Sequence, residues 1–268
     1  MAEISIFQAG FCTHPACMVL KGAGFKSQCF PSSAYLISTK VGYFLWDTGY
    51  AEHFMDASHG IYRLYSMVTP VTFNPAQSLV LQLKSKGISA KDIQGIIVSH
   101  FHADHIAGLL DFSGTNIICS DQAWTSIKNL KGILALKKGH LPDLIPTDIE
   151  ARLSFVEQLP SIALPNELRP FETGWDLTGG GEVLIVALPG HAIGHLGAFI
   201  ATEQGWVLLA SDAAWTKEAY ISLRGPSELS FLIQNNRKEY YQTLNQLHQL
   251  HRQNQVTIML THQSESLS

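Results

Sequence analysis

Four short apolar segments of this sequence, each of a length typical of a buried strand, are followed within three residues by a histidine or an aspartate. The segments and the residues that follow them are 95–99 with His100, 182–188 with His191, 206–210 with Asp212, and 256–260 with His262. In layered α/β folds, ligand-binding side chains gather beyond the carboxyl ends of the strands. The sequence therefore predicts sheets whose strands deliver these four side chains to one edge.

Helical patterns alternate with these strands, and hairpin-like strands open the chain at 33–38 and 41–46. One predicted helix covers 74–87 and is capped by Asn74, and another covers about 120–130 and is capped by Ser120 or Asp121. A long helix is predicted near the end of the sequence, with Ser227 as its cap. Its apolar stripe consists of Leu229, Leu232, Ile233, Tyr240, Leu244 and Leu247. Residues 50–74 show no clean period and are expected to be a loop or an irregular helical segment, and residues 132–175 are expected to be irregular. No repeat or linker interrupts the chain, so we expect one domain over residues 1–268, with helices on the outer faces of the sheets.

Charge and composition argue against two classes of partner. The net charge is −4, so the chain lacks the basic surface that nucleic-acid binding requires. Charged residues make up 15% of the chain, against roughly 25% in an average globular protein, which indicates a large core and is compatible with a homodimer. The apolar segments are too short to span a bilayer, and the N-terminus lacks the basic start and apolar stretch of a signal peptide.

We therefore expect a cytoplasmic protein without a membrane span. In that compartment the four cysteines are expected to be reduced thiols, rather than parts of a disulfide or a structural zinc site. These cysteines are Cys12, Cys17, Cys29 and Cys119.

Residues 96–108, IIVSHFHADHIAG, place three histidines and an aspartate within six positions after an apolar strand. Neutral imidazoles and carboxylates bind zinc at about 2.0–2.2 Å. An H-x-H-x-D-H run that turns into a helix can direct its first two histidines to one metal and its last two residues to a second. The predicted ligands are His100, His102 and His191 for the first metal, Asp104, His105 and His262 for the second, and Asp212 as a bridge between them.

Two further polar residues lie near these ligands. Asp47, in WDTG at a strand end, is predicted to orient a ligand histidine, with a simple turn aspartate as the alternative. His195, in GHAIGH after His191, is either a hydrogen-bond partner of the ligands or a structural histidine, and both interpretations stay open at this point.

The H-x-H-x-D-H motif, present as HFHADH at 100–105 and followed by the three distant ligands, resembles the metallo-β-lactamase fold superfamily. The resemblance implies an αβ/βα four-layer sandwich of two mixed sheets with helices outside and metals at one edge. True β-lactamases lack a histidine at the position of His105. QAG (8–10), WDTG (46–49), SHFHADHIAGL (99–109) and DAAWTKEAY (212–220) are similar to the N-acyl homoserine lactonases, which act in quorum quenching. Those lactonases often have a tyrosine where this chain has Trp215, and an aspartate where it has Gln263.

The sequence therefore predicts a dinuclear zinc hydrolase, with iron or manganese as possible substitutes. A hydroxide bridging the metals attacks a lactone or ester, and an apolar acyl lactone is the favoured small-molecule substrate. Asp104 is the predicted catalytic proton shuttle, and Trp215 and Tyr220 are predicted to contact the substrate. Residues 50–74 either line an apolar pocket or simply pack in the core.

Three alternatives use the same ligands. The first is a phosphodiesterase or phosphotriesterase, and the second is an iron-dependent dioxygenase acting on a thiol or persulfide. The third is a metal-binding module without activity.

Overall fold

The structure, a computed structural model, describes residues 1–263, in which the strands form two mixed sheets. The strands of the first sheet are β1 (Glu3–Pro15), β2 (Ser27–Thr39), β3 (Gly42–Trp46), β4 (Val71–Thr72), β5 (Ile93–Ile97), β6 (Asn116–Cys119) and β7 (Leu153–Phe155). Those of the second are β8 (Ser161–Ala163), β9 (Thr173–Asp176), β10 (Val183–Ala187), β11 (Leu196–Thr202), β12 (Gly205–Ser211) and β13 (Val256–Leu260). The strand order of the first sheet is β4-β1-β2-β3-β5-β6-β7, and that of the second is β13-β12-β11-β10-β9-β8. Neighbouring strands run parallel along β3-β5-β6-β7 in the first sheet and between β12 and β13 in the second.

The helices are mostly short. They are α1 (Ala16–Val19), α2 (His53–Ala57), α3 (Arg63–Val68), α4 (Leu79–Ser85), α5 (Ala103–Ile106), α6 (Asp121–Ile127), α7 (Gly132–Leu136), α8 (Lys217–Ser222) and α9 (Arg237–Gln253). Single 3-10 turns lie at Gly60–Tyr62, Pro75–Gln77, Ala90–Asp92, Leu109–Asp111, Pro142–Leu144, Ile149–Ala151, Val156–Gln158, Asn166–Leu168 and Glu228–Leu232.

Alternation along the strands produces the layers, because successive side chains of a strand point to opposite faces of its sheet. On β2, Tyr35 and Ile37 belong to the core between the sheets, whereas Leu36 packs beneath the outer helices. On β10, Ile185 faces the same central core and Leu184 packs with α8 and α9. Both faces of each sheet are therefore covered, and the predicted four-layer αβ/βα sandwich is confirmed.

The long helix near the C-terminal end of the described chain begins later than the sequence pattern predicts. Asn236, not Ser227, caps α9, and its side-chain oxygen accepts hydrogen bonds from the backbone N–H groups of Lys238 and Glu239. The predicted start at Ser227 is wrong because residues 228–232 form a separate 3-10 turn. Three members of the predicted stripe, Leu229, Leu232 and Ile233, are consequently exposed, while Tyr240, Leu244 and Leu247 are buried.

Both segments without a clean period contain short regular elements, and the short helices of residues 50–74 agree with the irregular helical segment expected there. Residues 50–74 include α2 and α3, and residues 132–175 include α7 and three strands that extend both sheets. Strands of three or four residues are too short to show a readable period, so sequence patterns miss them. The predicted helix 74–87 is also divided, since Asn74 caps a 3-10 turn and α4 starts afterwards.

All four cysteines are free thiols, and Cys12 and Cys119 are buried. Within residues 1–263, no helix has the length and apolar character that crossing a membrane would require.

Candidate metal centre

The HFHADH run lies where β5 leaves the first sheet and turns into α5. His100 and His102 precede the helix, and Asp104 and His105 lie in its first turn. Hydrogen bonds from two neighbouring segments hold this turn. Ser32 Oγ donates to the Asp104 carbonyl at 2.6 Å, and both the backbone N–H and the hydroxyl of Thr48 donate to the His105 carbonyl at 2.8 and 3.0 Å. These hydrogen bonds tie the backbone of the motif to β2 and to the segment that follows β3.

Four of the predicted ligands converge in a first group, namely His100, His102, His191 and Asp212. His191 Nε2 lies 3.1 Å from His100 Nε2 and 3.0 Å from His102 Nδ1, and 3.4 Å from Asp212 Oδ2. His191 arrives from the loop after β10, and Asp212 directly follows β12. Three separate strand ends therefore supply this group, as the sequence predicted.

A second group contains Asp104, His105, His262 and again Asp212. His105 Nε2 lies 3.4 Å from Asp104 Oδ2 and 3.3 Å from Asp212 Oδ1, and His262 Nε2 lies 3.3 Å from Asp212 Oδ2. Within each group the ligand atoms are all within 4.8 Å of one another. Asp212 is the residue that the groups share, the arrangement expected of a bridging carboxylate. That metals occupy the two groups stays a prediction.

The unpaired atoms of the two groups fit divalent cations. His105 Nε2 and Asp212 Oδ1 are buried and have no hydrogen-bond partner within residues 1–263, although they face each other. His191 Nε2 contacts two imidazole nitrogens, and a single N–H can serve only one of them. Ligand atoms about 2.0–2.1 Å from a tetrahedral zinc are roughly 3.3 Å apart, close to the spacings seen here. A cation would satisfy these buried atoms, which otherwise carry a large desolvation cost.

The electrostatics of the first group favour neutral imidazoles. Burial lowers the pKa of His100 and His191 well below the usual value, with further lowering from neighbouring histidines. Burial also lowers the pKa of His102, to about 4. Neutral imidazole is the form that binds a metal, so these three histidines are ready to act as ligands at neutral pH.

The second group is dominated by carboxylates. Burial alone would lower the pKa of His262, but Asp212 and Asp104 raise it to about 9, and the pKa of His105 is likewise raised well above normal. Burial would raise the pKa of Asp104, but His105 and His262 lower it to about 2. The second group therefore demands positive charge, which either protons or a divalent cation can supply.

Asp47 orients a member of the second group. Its Oδ2 lies 2.7 Å from His105 Nδ1, and its carboxylate also accepts hydrogen bonds from the backbone N–H and the hydroxyl of Ser99 at 2.8 and 2.7 Å. Nε2 of His105 is thereby turned toward Asp104 and Asp212. Between the two interpretations of Asp47, its contacts favour the one in which it orients a ligand histidine.

Three further contacts orient members of the two groups, and the sequence pointed to one of them. His262 Nδ1 lies 2.8 Å from the Pro31 carbonyl, and Gly139 lies so close to His102 that an added Cβ would be 2.7 Å from its ring. His195 joins neither group, but its Nε2 accepts a hydrogen bond from the Asp212 backbone N–H at 3.3 Å. His195 is thus a hydrogen-bond partner of the bridging residue. The contacts of Pro31 and Gly139 have no signal in the sequence. Only His195, which lies four residues after His191, could be suspected from its position in the chain.

A groove of about 620 Å³ opens above both groups. Besides ligands, its lining residues are Cys12, His14, Met18, Val19, Phe30, Tyr50, Tyr65, Thr69, Trp215, Ser230 and Ile233. Trp215 lies in the groove, as predicted, and its Nε1–H donates to Asp212 Oδ2 at 2.8 Å. Segment 50–74 supplies Tyr50, Tyr65 and Thr69, so it lines the groove as well as packing in the core.

The structure does not bring Tyr220 to the groove, so its predicted substrate contact is wrong. Tyr220 lies in α8, and its side chain is buried in the core between the second sheet and α9, where it packs against His251 with ring centroids 5.4 Å apart. Thr216 caps α8, and Tyr220 lies on the face of this helix that is buried against the core.

Comparisons with known proteins agree with this geometry. The Metallo-beta-lactamase superfamily model matches residues 28–251. A probable metallo-hydrolase of Mycobacterium tuberculosis is 26% identical over 93% of this chain and 74% of its own length. The N-acyl homoserine lactonase AiiB of Agrobacterium fabrum is 26% identical over 89% of this chain and 81% of its own length.

A solved structure has the same fold. It is an N-acyl homoserine lactone hydrolase with the product N-hexanoyl-L-homoserine bound at its catalytic metal center, and it superposes with a TM-score of 0.73 at 22% identity over 97% of this chain and 92% of that one. The family match and these relatives support a metal-dependent hydrolase. The family model covers most of the chain, and we conclude that the chain belongs to the metallo-beta-lactamase superfamily.

Proposed function

We propose that this chain is a dinuclear metal-dependent hydrolase that opens lactones or cleaves esters, with an N-acyl homoserine lactone-like substrate favoured. The observation that carries the proposal is the pair of ligand groups sharing Asp212 at the floor of a largely apolar groove. Zinc is the proposed metal, since the ligand atoms are imidazole nitrogens and carboxylate oxygens at tetrahedral spacings, and iron or manganese are the alternatives.

The proposed metal ligands are the seven residues of the two groups. Two divalent cations held there would lower the pKa of a shared water and polarise a substrate carbonyl. The protein supplies the rest of the chemistry. The Asp47 carboxylate and the Pro31 carbonyl fix the rings of His105 and His262, and Trp215 restrains Asp212 through its indole N–H.

Asp104 is the proposed proton carrier. It lines the groove beside the second group, so its carboxylate is placed to receive a proton and pass it to the leaving alkoxide. In a lactone the leaving alkoxide stays attached to the product. A single group beside the ring oxygen is therefore enough to complete the ring opening.

The groove supports an apolar acyl group as part of the substrate. Val19, Phe30 and Tyr50 are buried or nearly buried in its wall, and a binding site for a small molecule is usually such a concave apolar surface with a few polar groups. The net charge of −4 gives no reason to favour a nucleic-acid phosphodiester.

A substrate panel tests this proposal. N-acyl lactones of increasing chain length, aryl esters, phosphotriesters and small thiols or persulfides are compared by kcat/KM, with oxygen uptake measured for the last class. We expect the highest kcat/KM for long-chain acyl lactones. A preference for phosphotriesters, or oxygen consumption with a thiol, would instead support one of the two alternative activities.

The metal content tests the dinuclear site. We expect about two metal ions per wild-type chain and about one after His262→Ala, because the second group loses a ligand. His59→Ala is the matched control, since His59 is exposed and belongs to neither group. Full activity with one metal per wild-type chain would refute the dinuclear mechanism, and an unchanged metal content in His262→Ala would remove His262 from the site.

A further inference from the structure

The groove contains more polar side chains than the ligand groups use. This matters under the proposed function, because an acyl chain that occupies the apolar wall carries with it the polar group that joins it to the lactone ring. Burying an amide without a hydrogen-bond partner costs free energy, on the order of 1–3 kcal/mol by protein substitutions. A site that accepts N-acyl substrates therefore needs a free donor or acceptor on that wall.

Most of the polar candidates in the wall are already engaged. Trp215 Nε1 donates to Asp212 Oδ2, and Ser230 Oγ donates to the Met18 carbonyl. The Tyr50 hydroxyl is fully buried beside the Cys12 thiol, so a ligand cannot reach it. Three polar side chains of the groove lining belong to neither ligand group and make no hydrogen bond within residues 1–263. They are His14, Tyr65 and Thr69.

Tyr65 is the best positioned of these three residues. It is half-buried on α3, and its ring packs edge-on against Phe54 with centroids 5.7 Å apart, while Phe54 packs in the same manner against Tyr50 at 5.2 Å. This aromatic row holds the ring in place. Burial raises the pKa of Tyr65, and Asp104 raises it further, so the hydroxyl stays protonated and lies within electrostatic reach of the second ligand group.

The other two side chains are less suited to an acyl linkage. Thr69 follows the last turn of α3, where its backbone N–H donates to the Tyr65 carbonyl at 2.8 Å, and its side chain is much shorter than that of Tyr65. His14 is on β1 against Phe30, with ring centroids 6.4 Å apart, and its nearest charged neighbours are His262 and Asp104. His14 therefore lies beside the second ligand group, whereas Tyr65 lines the same groove from the aromatic row of the apolar wall.

We propose that the Tyr65 hydroxyl donates a hydrogen bond to the carbonyl oxygen of the substrate's acyl amide. Tyr65 is then a specificity-determining residue that contacts the substrate away from the reacting atoms. The inference rests on the proposed function and deepens it, since it names the residue that distinguishes a lactone with an N-acyl amide from a lactone with a plain alkyl chain of the same length.

The test compares two enzymes with two substrates. Wild type and Tyr65→Phe are assayed with N-decanoyl homoserine lactone and with a γ-lactone that carries an alkyl chain of similar length but no amide. We expect Tyr65→Phe to lower kcat/KM about fivefold for the N-acyl lactone, the loss of one neutral hydrogen bond, and to leave the alkyl lactone unchanged. The loss should appear in KM, because the contact is the same in the ground state and the transition state.

Matched variants separate this role from a structural one. Tyr43→Phe, at an exposed position on β3, should leave both substrates unchanged. An equal loss on both substrates in Tyr65→Phe, or a substrate-selective loss in Thr69→Val or His14→Gln instead, would overturn the assignment of Tyr65. If the wild type opens both lactones and Tyr65→Phe has the same kcat/KM for each of them, only this inference fails. If the wild type opens neither lactone, the proposed function itself fails, and this inference with it.

Discussion

At the scale of single residues, the site depends on groups that do not belong to the two ligand groups. Asp47 has a φ of 57°, in the left-handed region that an aspartate tolerates better than most residues. This backbone conformation follows β3 and directs the carboxylate to Ser99 and to His105 at once. The strained position is consistent with a carboxylate whose purpose is to orient another side chain.

Replacing Asp47 by asparagine should weaken the second metal group. The amide keeps the shape of the side chain but removes the charge that holds His105 Nδ1 at 2.7 Å. Loss of such a partner typically reduces metal affinity roughly 10- to 100-fold, and we expect a loss in that range, measured by competition with a chromophoric chelator. Asp56→Asn, at an exposed position in α2, is the matched control. Equal affinities in the two variants would contradict this role.

Sequence reasoning identified both ligand groups because each predicted ligand directly follows a recognisable strand or lies in one compact motif. The partners of those ligands could not be predicted in the same manner. The Pro31 carbonyl that meets His262 is 231 positions away in the chain, and any residue type could present it. Tyr220 was misplaced for the opposite reason, since its proximity to Asp212 in the sequence carries no information about which face of α8 it occupies.

At the scale of elements, the loop after β10 and the start of α9 form one unit. The backbone N–H groups of Asn235 and Asn236 donate to the carbonyls of His191 and Gly190, each at 2.9 Å. Gly190 has a φ of 124°, and an added Cβ would lie 2.2 Å from the Tyr240 nitrogen. The first turn of α9 therefore rests directly on the residue before a predicted metal ligand.

Gly190→Ala should consequently reduce both stability and metal binding. A matched control is Gly205→Ala, because Gly205 has a similar φ of 112° but nothing within 4 Å of an added Cβ. Both variants carry backbone strain, and we expect Gly190→Ala to be about 1–3 kcal/mol less stable than Gly205→Ala in urea unfolding because of its clash with α9. It should also bind less metal, since the clash displaces His191. Equal stability and metal content in the two variants would refute this coupling.

The start of α9 shows why element boundaries were harder to predict than the elements themselves. Leu229, Leu232 and Ile233 match a helical stripe that continues to Tyr240, and Ser227 is a good cap. The chain instead leaves the helical path after residue 232, and a new helix starts at Asn236. The side-chain oxygen of Asn236 accepts hydrogen bonds from the backbone N–H groups of Lys238 and Glu239. The contacts of this segment with the β10 loop, which are tertiary, decide between the two possible caps.

At the scale of the whole molecule, the apolar strands predicted sheets covered by helices, whereas the four-layer sandwich was implied by the resemblance to the metallo-β-lactamase fold superfamily. In the structure the central strands alternate between an outer core and the central one. Ile96 and Ile97, adjacent on β5, belong to different cores, and Leu208 and Leu209 on β12 do the same. The edge strands β7 and β8 have only three residues each and left no pattern to read. A homodimer stays a prediction, as does the cytoplasmic location.

Metal removal should destabilise the whole molecule, because the cations would connect strand ends from both sheets. The first sheet supplies His100, His102, Asp104 and His105, and the second supplies His191, Asp212 and His262. At a free metal concentration about 100 times Kd, each of the two cations contributes about 2.7 kcal/mol, and for a domain of this size a chelator should lower Tm by roughly 10–20 °C. Scanning calorimetry with and without chelator measures the shift, and restored zinc should reverse it.

Asp212→Ala removes the residue that both groups share, so its Tm should respond little to the chelator. A wild-type Tm that is the same with and without chelator would show that no cation joins the two sheets.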